Sequence, residues 1–382
     1  MTSYSRKYDR TARILTVVCG LLFSAFSFVY LYVLQVDLLH ALHTCLSGGK
    51  TVFNAFWSAV IITLVLVLLR WGVNSLLGLK GVLRALSWFP SFLLLGVLTD
   101  VGYTVGSEGM NGRWMWLLPL LLLVFFVGGY ALRRVYRLWF DVMEPDAWLN
   151  AFCSFVILLL FGYMTVSIGN TDIHLHHELA VHQAILDGDY EEARRIGAKV
   201  TDPNRALTAL RGASLSREGT LGEYLFTCPQ PYGADGLMVD DAFTPILPAT
   251  RDSLYAYWGT KPRTGESGVD FFRRLCTDEV EGQVARDYYL SALLLDKQLE
   301  RFIQVLGKDE AVSDSLPKHY KEAVFLYGKL HPEQAYASSD AALETQWQAY
   351  EALQTELSGT VGEANRMRRK FGETYWWYYF FH

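Results

Sequence analysis

The chain has 382 residues, 51% of them hydrophobic and 19% charged, with a formal net charge of −5. Those averages combine two different polymers: residues 1–169 carry 12 Lys and Arg against 7 Asp and Glu, while residues 170–382 carry 22 against 32, so the halves are net +5 and −10. The acidic half argues against a nucleic-acid partner, because binding phosphates needs clustered Lys and Arg, and it is long enough to bury a core without staples.

Taken in order, the basic stretch SRKYDRTAR leads into an uncharged run from Ile14 to Val36. That run is too long for the apolar region of a signal peptide and lacks a small-x-small cleavage site, so it reads as a signal anchor. Roughly 20 apolar residues cross a bilayer, and four further segments qualify. Val52–Leu69 is uncharged and centred on FNAFWSAVIITLVLVLL. Ala85–Val105 holds Pro90, and its uncharged core stops at Asp100. Proline is tolerated in a membrane helix when neighbours satisfy the freed carbonyl, and the count falls to four spans if this segment only re-enters. Trp114–Leu132 and the charge-free Ala147–Ile168 complete the set. A transporter would more usually show broken helices with polar residues at the midplane, and no such break is expected in these spans.

Basic residues alternate between the connecting segments. Arg6, Lys7, Arg10 and Arg13 precede the first span, Arg70, Lys80 and Arg84 follow the second, and Arg133, Arg134 and Arg137 follow the fourth. The remaining two connections contribute only Lys50 and Arg113. This positive-inside pattern puts the N-terminus in the cytoplasm and, with five spans, the acidic domain outside. Trp71, Trp88, Trp114, Trp116, Trp139 and Trp148 lie near span ends, as an interfacial aromatic belt requires. Asp37, His40, His43, Asp100 and Glu108 fall in or beside the outer connections, where they are either solvated or mark a substrate path.

The acidic half opens with DIHLHHELAVH. His177 and His182 are separated by one residue too many for a zincin pair, since i, i+5 turns the rings ~140° apart on a helix. His174, Glu178 and His182 do share a helix face, which suits a surface metal clamp; the alternative is a polar helix start at the bilayer surface. Helical patterns then follow through residue 382. GDYEEARRIGAK resembles the second helix of a tetratricopeptide pair. Asp202-Pro203-Asn204 opens a helix with Pro203 at its first turn, a Pro- and Gly-rich loop occupies Pro229–Pro248, and Arg286–Lys308 reads as the longest single helix. Cys228 and Cys276 are the only cysteines in this half. They either bridge a loop of 47 residues in an oxidising compartment or remain as two thiols on different helices. No Cys-x-x-Cys, phosphate loop or Gly-x-Ser-x-Gly elbow occurs. The chain closes on seven consecutive aromatics, Tyr375, Trp376, Trp377, Tyr378, Tyr379, Phe380 and Phe381. Such a run must be covered, either as a cap on the last helices or by insertion at a membrane surface or partner.

The segments NRALTALRGASLSREGTLGEYLFTCPQPYGADGL, LPKHYKEAVFLYGK and FGETYWWYYFF resemble an uncharacterised family of bacterial envelope proteins from the Bacteroidota. The resemblance implies multipass helices, a helical C-terminal domain and an inner-membrane location facing the periplasm; it implies no activity. The resulting expectation is an all-α protein, with a five-span transmembrane region over 1–169 and an α-helical, repeat-like periplasmic domain over 170–382. Its expected role is an inner-membrane scaffold or adaptor binding a protein, peptide or envelope component, with the lipid bilayer as its other partner. No catalytic signature or cofactor is implied. The alternative is an envelope enzyme, or a subunit of one, acting on a lipid-linked substrate at the outer membrane face.

Overall fold

The structure is a computed structural model describing residues 3–47, 50–102, 112–140, 147–196, 200, 202–240, 248–277, 283–307, 313, 315–333 and 340–382. Among the described residues every regular element is helical. The chain packs as two compact units, Met1–His176 and His177–His382. The division lies beyond the expected 169/170 boundary because the intervening residues bond back to the first unit. Asn170 receives a hydrogen bond from Gln35 Nε2 at its carbonyl (3.0 Å), donates from Nδ2 to the Val101 carbonyl (2.7 Å), and donates from its backbone to the Thr99 carbonyl (2.8 Å).

The first unit contains five helical segments long and apolar enough to cross a membrane: Arg13–Leu34, Ala55–Leu77, Gly81–Thr99, Arg113–Val135 and Trp148–Ile168. They belong to helices α1 (Ser3–Val29), α3 (Ala55–Leu77), α4 (Phe89–Thr99), α5 (Arg113–Phe140) and α6 (Ala147–Ile168), while α2 (Val36–Ser47) is too short to span. Their outward faces are apolar, with Leu159 at 75% and Tyr163 at 74% exposure, a surface suited to lipid rather than water. Inside, Phe23 packs against Trp88 and Phe92, with centroids 4.5 and 4.9 Å away. Hydroxyls tie the helices together, as apolar surroundings favour: Ser27 with Thr63 (3.0 Å), Tyr30 with Thr99 (2.9 Å), and Thr165 donating to the Phe92 carbonyl (2.9 Å). At Gly96 an added Cβ would lie 3.1 Å from Ile168 Cβ, so glycine there permits close approach of α4 and α6.

Two spans depart from uninterrupted α-helix, contrary to expectation. The first ends in a π-helical turn, Tyr30–Leu34, which buries Tyr30 and Leu31 before Gln35 bends the chain. The third begins as a 3₁₀ segment, Gly81–Trp88, and becomes α-helical at Phe89. Pro90 lies in the first turn of α4, where its missing N–H leaves no bond broken. The second span also continues past Leu69 to Leu77, so Arg70 lies within the helix, with its guanidinium 5.0 Å from the Trp88 ring centroid. Helix α3 stops at Gly78, which adopts φ 58° and leaves the Leu77 carbonyl to accept Arg133 Nη1 at 2.7 Å.

The second unit is built from α7 (Ile173–Leu186, which the division cuts), α8 (Tyr190–Arg195), α9 (Arg205–Glu218), α10 (Leu221–Tyr224), α11 (Pro248–Trp258), α12 (Gly268–Thr277), α13 (Gln283–Leu295), α14 (Leu299–Leu306), α15 (Lys318–Leu330), α16 (Ala341–Leu357), α17 (Glu363–Phe371) and α18 (Tyr375–Phe381). One core runs through it, including Leu207, Leu210, Leu237, Phe271, Phe272, Tyr288, Leu293, Phe302 and Leu326. Helix α9 starts at Arg205 because the Asn204 side chain accepts the Leu207 N–H (2.9 Å); Pro203 therefore precedes the N-cap rather than following it. The expected long helix 286–308 is two helices. The chain turns at Asp296-Lys297-Gln298, where Lys297 takes φ 57° and Gln298 donates to the Leu293 carbonyl (2.8 Å), a Schellman end. Asp296 accepts the Ala234 N–H (2.9 Å), which draws the break toward the 3₁₀ turn Gly233–Leu237.

Candidate binding cleft

Several residues singled out in the sequence make contacts within the fold. His174, Glu178 and His182 lie on α7, but Glu178 is buried and accepts Asn204 Nδ2 at 2.7 Å, bracing the start of α9. Burial and then the Arg217 charge lower the His182 pKa from 6.5 to about 4. Among the described residues no three His, Cys, Asp or Glu side chains are gathered to hold a metal ion. Cys228 and Cys276 are both free thiols, Cys276 exposed at the end of α12, and no bridge joins them. Partial loss of water around its sulfur still raises the Cys276 pKa, against the opposing Arg286 charge.

The aromatic run is helical and packed. Tyr375 and Trp376 are 0% exposed and Tyr378 4%, while Trp377, Tyr379 and Phe381 are half-buried and Phe380 faces out. Glu322, buried on α15, anchors it: its Oε2 accepts the Tyr375 N–H (2.7 Å) and its carbonyl accepts Trp376 Nε1 (2.9 Å). His319 lies beside that carboxylate, Nδ1 to Oε2 at 3.0 Å, while its Nε2 accepts the Phe226 N–H (3.3 Å). An accepting Nε2 leaves the ring proton on Nδ1, donating to Glu322. The i, i+3 spacing puts the two side chains on one helix face, but their partners, Phe226 and Tyr375–Trp376, come from two distant segments, so sequence gives no sign that the pair is buried.

Those same segments border a cleft of about 590 Å³ in the second unit. One wall is the stretch Phe226–Pro231, which begins within the 3₁₀ turn Leu225–Thr227. Cys228 is extended (φ −114°, ψ 151°), the conformation that a following proline enforces. Gln230 pins this wall by donating from Nε2 to the Leu225 carbonyl (2.8 Å). It is 4% exposed, and among the described residues its Oε1 has no hydrogen-bond partner. The opposite wall comes from α17 and α18: Arg368, Arg369, Lys370, Glu373, Trp377 and Tyr378.

Charge in the cleft runs against the acidic average of the domain. Lys318 joins Arg368, Arg369 and Lys370 in its lining, against Glu373 as the one acidic side chain. Cations suit the last turn of a helix, where they oppose its dipole, and that accounts for part of their placement. Arg368 also stacks over Trp377, 5.5 Å from the centroid, and Lys318 Nζ donates to the Glu373 carbonyl (3.0 Å). Among the described residues no carboxylate pairs with Arg368, Arg369 or Lys370. His382, also in the lining, has its pKa lowered by burial and by Lys297.

The first unit has a polar cluster of its own at one end. Asn170 joins the Gln35, Thr99 and Val101 positions, and Asp37 lies 3.6 Å from His176. Asp100 accepts from Arg113 and from Trp114 Nε1. His40 stacks on Phe53 (4.6 Å), and His43 bonds Thr51 (3.0 Å); Glu108 lies outside the described residues.

Residues 244–382 match a family described as a family of unknown function (DUF6057). The match takes in the α15, α17 and α18 side of the cleft and leaves out the Phe226–Pro231 wall and the whole first unit. No curated protein and no solved structure is detectably similar to the chain.

Proposed function

We propose that the protein is a scaffold or adaptor anchored in the bacterial inner membrane, whose periplasmic, repeat-like helical domain binds a protein, peptide or envelope component. The observation carrying this reading is the cleft between Phe226–Pro231 and α17–α18, which is open, basic and partly aromatic. Its side chains offer recognition chemistry: donors for an anion and the partly exposed ring of Trp377. The charge alternation along the first 137 residues and the resemblance to Bacteroidota envelope proteins support the inner-membrane, periplasm-facing placement.

A photo-crosslinking residue replacing the cleft residue Gln346 tests it in the membranes of cells that make the protein. A discrete adduct is expected from Gln346 and not from the exposed Glu351 outside the lining. Equal labelling from both positions, or none from either, removes the cleft as the binding surface.

The rival reading is an envelope enzyme or enzyme subunit acting on a lipid-linked substrate at the outer face. It is favoured by the Asp37–His176 pair and the Asn170 cluster, which bring acidic and imidazole groups together at span ends. The tight bonding of Asn170 to backbone carbonyls gives the cluster an architectural role already.

A further inference from the structure

We propose that Arg70, near the end of the second apolar helix, and Arg84, at the start of the third, form a binding site for the phosphate of an anionic phospholipid. Arg70 is only 8% exposed, on a helix long and apolar enough to cross a membrane. It lies about two turns short of Leu77, roughly 10 Å along the axis. The buried Trp88 ring covers one face of its guanidinium, with Cζ 5.0 Å from the ring centroid. Its Nε is sealed from solvent without a hydrogen-bond partner. Nη1 and Nη2 are not sealed in that way, and among the described residues none bonds to them and no carboxylate pairs with them. Arg84 brings a second positive charge close enough to act on Arg70. It is positioned by Nη1, which donates to the Thr16 hydroxyl on α1 at 3.0 Å.

Buried charges are ordinarily paired and hydrogen-bonded, and an ionisable side chain inside a membrane helix marks a functional position. Stacking on Trp88 offsets part of the desolvation, but it leaves the donors along the edge of the guanidinium unmet. Two such donors side by side match two oxygens of a phosphate. Depth selects the source of that phosphate. In the last turns of a span the anions at hand belong to the lipid headgroups just beyond the hydrocarbon. A partner's carboxylate would have to be carried into the bilayer, which is itself unfavourable. The helices framing the site also suit acyl chains: α1 presents Val17 and Leu21 outward, and α3 presents Leu68 and Trp71. Net charge selects the headgroup. A zwitterionic lipid brings its own ammonium toward two guanidinium groups, and an anionic one does not. The site needs only α3 in the bilayer, so it stands or falls independently of what the second unit binds.

The test is native mass spectrometry of the full chain in mild detergent, offered equal amounts of phosphatidylglycerol and phosphatidylethanolamine with matched acyl chains. A parallel sample adds excess inorganic phosphate. Phosphatidylglycerol should be retained over phosphatidylethanolamine by about fivefold or more, the scale of one cation acting on an anionic headgroup, and phosphate should not displace it. Arg70→Met removes the charge while keeping an unbranched apolar stem, and it should abolish the preference. Arg84→Gln keeps a donor for Thr16 and should reduce the preference several-fold. Arg134→Gln, which removes an exposed cation, should leave it unchanged. A melting temperature in lipid-free detergent equal to that of the parent shows that a variant is folded; if Arg70→Met does not fold, Arg84→Gln decides. Equal retention of the two lipids overturns the proposal, as does a preference that survives Arg70→Met, or survives Arg84→Gln where that variant decides. Equal losses from Arg134→Gln and Arg70→Met would reduce the effect to surface charge and also overturn it. Displacement by inorganic phosphate would make this a site for the free anion and not for a lipid.

Discussion

At His182 the loss of water and the adjacent Arg217 guanidinium both disfavour the protonated ring, taking its pKa from 6.5 to about 4. The unfolded chain binds this proton near pH 6.5 and the folded chain does not until about pH 4. Stability from this residue is therefore fully present above pH 6.5 and is lost as pH falls through that window. Measured in urea at pH 7 and pH 5, the unfolding midpoint of the second unit should drop on acidification. In His182→Gln the drop should be smaller, because the substituted amide has no proton to take up. An identical pH dependence in the two proteins would contradict the assignment. The tempting reading of this histidine, as one arm of a metal clamp with His174 and Glu178, came from helical register, and register is satisfied. What register does not reveal is that Glu178 is turned into the fold to hold Asn204.

At the scale of elements, α18 is the clearest case of composition dictating position. Seven adjacent rings cannot remain in water, and the chain covers them by laying Tyr375 and Trp376 against α15 and bonding both to Glu322. Trp376 also meets Trp347 and Phe325, at 5.1 and 5.7 Å between centroids. Trp376→Ala should cost about 3–5 kcal/mol through lost transfer and cavity formation. A change of that size should lower the melting transition of the second unit by roughly 6–20 °C in detergent. A tail whose only role was to lie on lipid would leave that transition unmoved. The spans were equally legible, since about 20 uncharged residues have few other fates. Breaks inside elements were not legible. The π turn at Tyr30, the 3₁₀ start at Gly81 and the left-handed Lys297 satisfy partners far along the chain, such as Asn170 for Gln35 and Ala234 for Asp296. The cleft escaped sequence reading for the same reason: its walls are about 140 residues apart, and neither wall alone resembles a site.

For the molecule as a whole, the basic residues of the first 137 positions alternate between the connecting segments. Segments that the charge pattern groups together are joined in space: Arg84 Nη1 donates to Thr16 at 3.0 Å, Arg133 Nη1 caps the Leu77 carbonyl at 2.7 Å, and Arg70 stacks on Trp88. Asp37 and Asp100 belong to the two connections in which Lys50 and Arg113 are the only Lys or Arg, and Asp37 pairs with His176 just after the fifth apolar helix. Ten basic residues against two across alternating connections is the arrangement that keeps Lys and Arg in the cytoplasm during insertion. Five helices are long and apolar enough to cross a membrane, and an odd number of crossings is the proposal that puts the two ends of the chain on opposite sides. A phosphatase reporter that folds only outside the cytoplasm should be active when fused after His382 and silent when fused after Arg137. Activity at Arg137 with silence at His382 would invert the whole arrangement and put the cleft in the cytoplasm. Activity at both positions would mean that an even number of spans separates them. Replacing Arg133 and Arg134 by Glu should also raise activity at the Arg137 fusion, because it weakens the bias holding that connection inside. That response ties the topology to the charges themselves rather than to helix length.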